Sequence, residues 1–375
     1  MRILINALSA QNGGGQTYII NLLNNKTDIK DQVFILTQPS FDLKNLPSHI
    51  IQIRLKLNNP FMRIICEELL LIYFMRKLNI NVYFSPACIL PFFLLPNIKT
   101  VVTFQNMLPF DCIQRKKYPI FGYRSLRDYL LKKLFSRSML RADLVIFLSE
   151  FARNKVRKEL SGFNGLNIVI PHGVDDIFKH KSEVNKKLSF LLRKPYFTYV
   201  SYIDYYKGHI EMVEGFKTYC ANGGEGILYF VGHEYKPYAR LLRKKITILG
   251  LFNRVKFLGV IDHYMLPFIY QNAFINLFGS YVENCPNILL EIMSSGRPAL
   301  ISNKEPMPEI AKSSVFYFDP TDPMDFSDKL TLLAQNKKLQ KKLSAEAQVV
   351  VGKYSWTKTA QVTWSSISKL VSEIV

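Results

Sequence analysis

Short apolar runs rich in β-branched residues recur along this 375-residue chain, and longer segments with helical periodicity separate them. In the first half, the runs predicted as strands lie at Ile3–Ala7, Val33–Thr37, Val82–Ser85, Thr100–Phe104, Leu144–Leu148 and Asn167–Ile170. Fully apolar strands that alternate with helices are typical of a parallel sheet covered on both faces. The pattern therefore predicts a doubly wound α/β domain.

A second series follows a polar, basic stretch at Asp175–Lys187, which indicates the domain boundary. Its predicted strands lie at Phe197–Ser201, Gly226–Val231, Val255–Leu258, Ala273–Leu277, Ala299–Ser302 and Val315–Phe318, and its predicted helices at Gly208–Cys220, Lys236–Leu249, Tyr264–Gln271 and Asn287–Ser295. With 48% hydrophobic residues, a chain of this length can bury two cores. We expect two doubly wound α/β domains in tandem.

Cysteine and histidine spacing favours neither a disulfide framework nor a metal site. The five cysteines are widely separated without a C-x-x-C pair, and neither an H-x-x-x-H nor a D-x-D pattern occurs. Arg2–Leu8 reads as a buried strand and not as a signal peptide. The most apolar stretches, Leu69–Phe74 and Cys88–Pro96, are shorter than the roughly 20 residues that cross a bilayer. We expect a cytoplasmic protein with reduced thiols and no spanning helix.

Three glycines follow the first predicted strand, in Asn12-Gly13-Gly14-Gly15, and precede a helix. Gly14 and Gly15 would let the backbone approach a phosphate at the helix N-terminus. The loop departs from a dinucleotide fingerprint, because Tyr18 takes the place of the third glycine and no acidic residue follows the second strand at Thr37. Both a phosphate contact and a merely tight turn fit this loop.

Two glutamates eight residues apart, Glu283 and Glu291, bracket a predicted helix start. Asn284 is its predicted N-cap and Pro286 stands near the first helical position, so the N–H groups around Cys285–Ile288 would face an anion. One carboxylate can accept hydrogen bonds from ribose and the other from a hexose, with a diphosphate between them. Glutamates at this spacing are also common on solvated surfaces. Their position at the carboxyl end of a predicted strand favours a ligand site.

In their order along nearly the whole chain, these motifs resemble the group 1 (GT4) retaining glycosyltransferases of the GT-B fold. The matching segments are the N-terminal glycine loop, Leu148-Ser149-Glu150-Phe151, Ile170-Pro171-His172-Gly173-Val174-Asp175, Lys207-Gly208, Val255-Lys256-Phe257-Leu258-Gly259, Ser280-Tyr281-Val282-Glu283 to Glu291-Ile292-Met293, Gly296-Arg297-Pro298 and Tyr354-Ser355-Trp356. The resemblance implies two Rossmann-like domains facing a central cleft. Residues 1–178 would bind the acceptor, residues 188–352 the nucleotide sugar, and a helix over 353–375 would cross back to the first domain.

The resemblance also implies a role for each matched residue. Glu291 would bind the ribose, Glu283 the transferred sugar and Lys207 the diphosphate. The backbone that helps them would be that of Asn284, Cys285, Pro286, Asn287 and Ile288. It implies metal-independent transfer of a hexosyl unit with retention, without a cofactor beyond the nucleotide-diphosphate sugar that serves as co-substrate.

The chain departs from the family pattern at two places. Where the family has an arginine five or six residues before its lysine, this chain has Tyr202 and Ser201. Where the family has a histidine after the strand Thr100–Phe104, this chain has Gln105, which could hydrogen-bond a sugar hydroxyl. His172, in the loop that leaves the first domain, is expected to be structural.

A net charge of +20 predicts attraction to anionic partners. Basic residues are interleaved with aromatic ones in one stretch, namely Arg115, Lys116, Lys117, Arg124, Arg127, Lys132, Lys133, Arg137, Arg141, Arg153, Lys155, Arg157 and Lys158 with Tyr118, Phe121, Tyr123, Tyr129 and Phe135. We interpret it as a surface for the anionic inner face of the cell membrane, in the assembly of a bacterial surface polysaccharide such as O-antigen or capsule on a saccharide or lipid-diphosphate-linked acceptor. A solvated helix face is the alternative.

Two other classes of function fit parts of the sequence. A sugar-nucleotide epimerase of the same fold would share the donor motifs, and release of nucleoside diphosphate only in the presence of acceptor would distinguish the transferase from it. A nucleic-acid-binding protein would share the charge, but the chain has no RNA-recognition, helix-turn-helix or zinc-finger pattern. We therefore expect no nucleic-acid partner.

Overall fold

The structure is a computed structural model that describes residues 1–10, 13–26, 30–41, 43, 47–56, 60–119, 122–183 and 186–372, without the side chains of 60–67 and 186. Its strands are β1 (Arg2–Asn6), β2 (Gln32–Thr37), β3 (Ile50–Arg54), β4 (Val82–Ser85), β5 (Lys99–Phe104), β6 (Leu144–Phe147), β7 (Asn167–Val169), β8 (Tyr196–Val200), β9 (Ile227–Val231), β10 (Val255–Gly259), β11 (Ile275–Phe278), β12 (Ala299–Ser302) and β13 (Phe316–Phe318). Its helices are α1 (Gly14–Asn24), α2 (Pro60–Lys77), α3 (Cys112–Arg115), α4 (Tyr123–Arg141), α5 (Glu150–Glu159), α6 (His209–Ala221), α7 (Lys236–Ile248), α8 (Leu266–Asn272), α9 (Asn287–Ser294), α10 (Met307–Ala311), α11 (Pro323–Gln335), α12 (Lys337–Val351) and α13 (Trp356–Ser372).

The chain divides into two compact units. Unit 1 comprises Met1–Phe110, Phe121–Gly173 and Ser355–Val375, and unit 2 comprises Asp111–Ile120 and Val174–Tyr354. The predicted ranges, 1–178 and 188–352, differ from this division, because residues 174–178 and 111–120 cluster with unit 2. Contacts that sequence order does not reveal hold both segments there: the Val174 N–H donates to the Tyr354 carbonyl at 3.3 Å, and the Tyr118 hydroxyl donates to Asp204 at 2.9 Å.

Unit 1 is built on a seven-stranded parallel sheet over its described residues, with strand order β3-β2-β1-β4-β5-β6-β7. The interior strands β4 and β6 are buried along their whole length, as their continuous apolar sequences predict. Edge strand β3 was not predicted. Of its five residues only Ile50 is buried, and the strand pairs with β2 alone.

The C-terminal helix α13 completes the core of unit 1. It buries Trp356, Ala360, Trp364 and Ile367 with residues of β1 and α1, and the Trp364 indole N–H donates to the Leu22 carbonyl at 3.0 Å. The chain passes so close to Gly173 that a Cβ there would lie 2.0 Å from the Trp356 nitrogen. A glycine is therefore required at this crossing.

Unit 2 is built on a six-stranded parallel sheet over its described residues, with strand order β10-β9-β8-β11-β12-β13. From β8 the chain proceeds to β9 on one side, and from β11 it proceeds to β12 on the other. The order therefore reverses between β8 and β11. In doubly wound sheets, ligands bind outside the carboxyl ends of the two strands at such a switch point. The two sheets confirm the predicted fold class, two Rossmann-like α/β domains.

In the part of the chain that the structure describes, no helix has the length and apolar character needed to span a bilayer. Cys88, Cys112, Cys220 and Cys285 form no disulfide there.

Candidate functional site

Two loops meet at the switch point of the unit 2 sheet, one after β8 and the other after β11. The Tyr206 carbonyl of the first loop accepts from the Tyr281 N–H of the second at 2.8 Å and from the Ser280 hydroxyl at 3.3 Å. Gly208 has a φ of 71°, and a Cβ there would lie 2.5 Å from the Gly279 carbonyl oxygen. The close packing of these backbones fixes the side chains that each loop presents.

Lys207 and Glu283, one on each loop, form an ion pair. Their side chains are 7% and 14% exposed. Burial alone would lower the pKa of the Lys207 ammonium, but the Glu283 carboxylate outweighs it and raises that pKa. Lys207 is therefore a positive charge at neutral pH. The structure thus brings together the two residues that were predicted to be catalytic.

The turn that carries Lys207 depends on Asp204 and Tyr118, two residues that sequence reasoning missed. Buried Asp204 accepts from the Tyr205 N–H at 2.8 Å and from the Tyr118 hydroxyl at 2.9 Å, while its carbonyl accepts from the Lys207 N–H at 3.0 Å. Tyr118 lies 86 residues earlier in the chain and is buried against Tyr205 and Tyr235. An Asp just before a short helical turn is a recognisable cap, but no local signal marks its tyrosine partner.

Helix α9 begins at Asn287, as predicted, but its N-cap differs from the prediction. Pro286, and not Asn284, holds the N-cap position, with an extended ψ of 117°, and Asn287 is the first helical residue. The residue before a proline avoids the helical region of backbone conformation, which keeps Cys285 outside the helix. Asn284, Cys285 and Pro286 are buried in the loop, whereas Asn287 and Ile288 are half-buried at the helix N-terminus. The N–H groups of these last two residues precede the first intrahelical hydrogen bond.

Glu291 lies in the second turn of α9, where both of its carboxylate oxygens face other elements. The buried Tyr270 hydroxyl of α8 donates to Oε2 at 3.0 Å, and His263 Nε2 lies 3.7 Å from Oε1. The His263 ring packs on Phe178 with a centroid distance of 5.1 Å. The interaction with the Glu291 carboxylate, helped by the charge of Asp175, raises the pKa of His263 against the effect of its burial. His263 and Tyr270 were not predicted, although His263 follows the carboxyl end of β10.

Replacing His263 by glutamine is expected to remove a pH-dependent contribution to stability. Because Glu291 raises the pKa of His263 above its ordinary 6.5, the pair stabilises the fold fully below that value. The stabilisation is lost as pH rises through the higher folded-state pKa. The wild type should therefore exceed His263→Gln in Tm by a margin that shrinks as pH rises above about 6.5. Solvent screening keeps the margin small, since the ring is 46% exposed.

Thermal denaturation over this pH series measures the margin. In a Glu291→Gln background, the same histidine replacement should leave the pH dependence of Tm unchanged, because the paired charge is gone. A margin that stays constant with pH would contradict the pairing.

The positions at which the family has an arginine hold other groups here. Ser201 is buried, and its hydroxyl lies 3.1 Å from Nε2 of buried His209, which stacks on Tyr199 at 4.7 Å. Burial, with the charge of Lys207, lowers the pKa of His209 to about 3, so this histidine is neutral.

Lys117 contacts the loop that follows β11. Its Nζ is 4.2 Å from the Tyr281 ring centroid and 3.7 Å from the Glu211 carboxylate.

The remaining predicted site residues, Gly14, Gly15 and Gln105, belong to unit 1. Helix α1 begins at Gly14 after a left-handed Gly13 with a φ of 66°, while Asn12 lies outside the described residues. Gly15 and Gln105 both line a cavity of about 660 Å³ at the carboxyl ends of β1, β4 and β5. The Gln105 amide donates to the Pro86 carbonyl at 2.9 Å. The cavity also presents Asn6, Asn106 and Arg127 among apolar side chains.

The stretch interpreted as one basic, aromatic surface is divided between the two units. Arg115, Lys116 and Lys117 belong to unit 2, whereas Arg124 to Lys158 belong to unit 1. Tyr118 and Phe135 are buried, and Phe121 lies outside the described residues. Counting charges along the sequence does not show which face of a helix enters a core.

Two further predictions concern His172 and metal binding. His172 is buried between Tyr18 and Trp356, with ring centroids 5.4 and 5.3 Å away. Within the described ranges, no three His, Cys, Asp or Glu side chains come close enough to hold a metal ion.

Two family models match consecutive parts of the chain. The model described as "Glycosyl transferases group 1" matches residues 180–350, and the model described as "Glycosyltransferase Family 4" matches residues 12–177. Together the two matches span most of the sequence. Among curated proteins, none shows significant sequence similarity to the chain.

Solved structures of similar fold match over nearly the full length. Sucrose-phosphate synthase from Thermosynechococcus elongatus has 17% identity and a TM-score of 0.79, with 100% of both chains covered. HepE of Anabaena in complex with UDP-glucose has 15% identity and a TM-score of 0.76, with 98% of this chain and 100% of that chain covered. WaaG, a glycosyltransferase involved in lipopolysaccharide biosynthesis, has 12% identity and a TM-score of 0.73, with 97% of this chain and 98% of that chain covered. At these identities the similarity concerns the fold.

Proposed function

Because the chain belongs to the group 1 glycosyltransferases of family GT4, with the GT-B fold, we propose that it transfers a hexosyl unit from a nucleotide-diphosphate sugar to a glycan or lipid-linked saccharide, with retention of anomeric configuration. The observation that carries the proposal is the Lys207–Glu283 ion pair at the switch point of the unit 2 sheet. Its two charges match the two parts of a sugar diphosphate.

Lys207 would stabilise the diphosphate that leaves. Sugar transfer develops positive charge on the anomeric carbon and negative charge on the departing diphosphate, so fixed cations and N–H dipoles at the leaving group lower the barrier. The Lys207 ammonium supplies the cation, and the Asn287 and Ile288 N–H groups at the start of α9 supply the dipoles. Glu283 neutralises Lys207 before the donor binds. When the diphosphate takes over that role, Glu283 accepts hydrogen bonds from the sugar hydroxyls.

Glu291 would bind the ribose. Tyr270 holds its Oε2 at 3.0 Å, whereas the 3.7 Å from Oε1 to His263 is longer than a hydrogen bond. Oε1 therefore keeps capacity to accept from a ribose hydroxyl. The donor complex of HepE supports UDP-glucose as the first donor to test.

The acceptor would bind in unit 1, in the 660 Å³ cavity that Gly15 and Gln105 line. Amide groups of Asn6, Gln105 and Asn106 and the Arg127 guanidinium suit the hydroxyl groups of a saccharide or an acceptor phosphate. The role of WaaG in lipopolysaccharide biosynthesis supports assembly of a bacterial surface polysaccharide as the process served.

The enzyme would act at the cytoplasmic face of the cell membrane without a metal ion or other cofactor. Helix α4 supports the membrane association, since its single acidic residue, Asp128, is buried. Its basic residues are all at least partly exposed, namely Arg124, Arg127, Lys132, Lys133, Arg137 and Arg141. Lys207 supplies at the diphosphate the charge that a divalent cation supplies in other transferases.

A thermal-shift panel of UDP-, GDP- and ADP-hexoses tests the donor, because ligand at 100 times its Kd stabilises a protein by about 2.7 kcal/mol. The stabilising donor is then incubated with saccharide acceptors, with and without EDTA. We expect nucleoside diphosphate release that requires acceptor and persists in EDTA. Loss of activity that Mg²⁺ restores would contradict the metal-independent reaction, and release without acceptor, together with an altered sugar, would indicate an epimerase.

A further inference from the structure

The loop between β4 and β5 carries two exposed aromatic side chains, Phe92 and Phe93. Phe93 is 72% exposed. The loop is nevertheless fixed on both sides. The Phe92 N–H donates to both carboxylate oxygens of Glu68 in α2, at 3.0 and 2.8 Å, while Arg137 and Arg141 of α4 donate to the Phe92 carbonyl at 3.2 and 3.1 Å. The loop is thus fixed in position while both of its phenylalanine rings remain exposed.

Large apolar side chains are also exposed on the two helices that hold the loop. Leu69 of α2 is 65% exposed, and Tyr73 of α2 and Leu140 of α4 are half-exposed. We call Leu69, Tyr73, Phe92, Phe93 and Leu140, with the cations named below, the Phe93 surface. Clusters of this kind on a soluble domain mark sites that bind a protein or a membrane.

Cations lie on the same two helices as these apolar groups. Arg76 and Lys77 end α2 and are exposed, and Arg137 and Arg141 lie one turn apart on α4. The Arg137 guanidinium lies 4.2 Å from the Phe92 ring centroid. Burial and the neighbouring charge of Arg141 lower the pKa of Arg137, against the effect of Glu68. An anion placed between the two guanidinium groups would relieve their repulsion.

We propose that the Phe93 surface docks on an anionic lipid bilayer, with Phe92 and Phe93 entering the boundary between head groups and acyl chains and the four cations contacting lipid phosphates. Aromatic rings beside arginine and lysine are the composition that this boundary favours. An anionic bilayer accounts for both the apolar and the cationic groups. The inference rests on the membrane association proposed above and identifies where it occurs.

Co-sedimentation of the full chain with vesicles tests the proposal. The vesicles contain phosphatidylcholine alone or with about a third phosphatidylglycerol, at about 0.15 M salt. We expect binding to the anionic vesicles only. Phe93→Ser should weaken that binding about tenfold or more, and Arg76→Gln about fivefold. Phe252→Ser, at a phenylalanine of unit 2 that is 62% exposed, is the matched control and should bind as the wild type does.

Wild-type binding that Phe93→Ser leaves unchanged would overturn this surface while leaving membrane association intact. Equal binding to neutral vesicles, or no binding to either kind, would overturn an anionic bilayer as the partner. Transfer to a water-soluble saccharide acceptor separates the two proposals, since Phe93→Ser should retain it. Absence of that transfer in the wild type would count against the proposed function and leave the vesicle result to be judged by itself.

Discussion

Replacing Lys207 by methionine is expected to lower kcat on the order of 100- to 1000-fold, the usual loss when one preorganised donor at a developing negative charge is removed. Methionine keeps the length and apolar stem of the side chain and removes its charge. The decrease should appear in kcat more than in KM, because Lys207 would contact the leaving diphosphate most strongly in the transition state. Initial rates with saturating acceptor measure the effect.

The same replacement leaves Glu283 buried without its partner, which should lower the free energy of unfolding by about 3–5 kcal/mol. The double variant Lys207→Met, Glu283→Gln separates the effect on stability from the effect on kcat. It should regain much of the stability but not the activity. Lys245→Met is the matched control. It breaks the ion pair between Lys245 of α7 and Glu214 of α6. Both side chains of this pair are one-third exposed, so the replacement should leave kcat unchanged. Near wild-type kcat in Lys207→Met would remove Lys207 from the reaction.

Replacing Glu291 by alanine is expected to weaken nucleotide-sugar binding about 10- to 150-fold, the range for losing hydrogen bonds to a charged group. The fold should remain intact, but the buried Tyr270 hydroxyl would lose its acceptor at a cost of about 1–3 kcal/mol of stability. Isothermal titration with the donor measures affinity, and urea denaturation measures stability.

Tyr270→Phe provides the control for Glu291. It removes the same hydrogen bond but keeps the carboxylate, so it should lower stability and leave most of the affinity. If Glu291→Ala binds the nucleotide sugar as tightly as the wild type, Glu291 does not bind the ribose.

Much of the fold could be predicted from local sequence, because core strands of parallel sheets are apolar on both faces. Runs such as Val82–Ser85 and Leu144–Phe147 carry that signal along the chain. Edge strand β3 was not identified although three of its five residues are isoleucine, since Gln52 and Arg54 interrupt the apolar run on a strand that is largely exposed. The N-cap of α9 was assigned to the wrong residue by the same local reasoning, which weighed the capping tendency of Asn284 above the restraint that Pro286 places on Cys285.

The candidate site could be predicted in part. Lys207 and Glu283 follow strands that flank the switch point, so their proximity follows once the order of β8 and β11 is known. Tyr118 could not be found in this way. It precedes the unit 2 sheet by many residues and reaches Asp204 through packing of a segment that interrupts unit 1. A contact of this kind depends on the three-dimensional path of the chain, which neither spacing nor periodicity encodes.

The placement of α13 in unit 1 affects the order in which the protein can fold during translation. Domains usually fold as units while the chain leaves the ribosome, beginning with the N-terminal one. Here Trp356, Trp364 and Ile367 belong to the core that forms around β1. All residues of unit 2 precede them and are synthesised first. Unit 2 can therefore complete its structure first, whereas unit 1 keeps part of its apolar core uncovered until residues 356–372 have emerged.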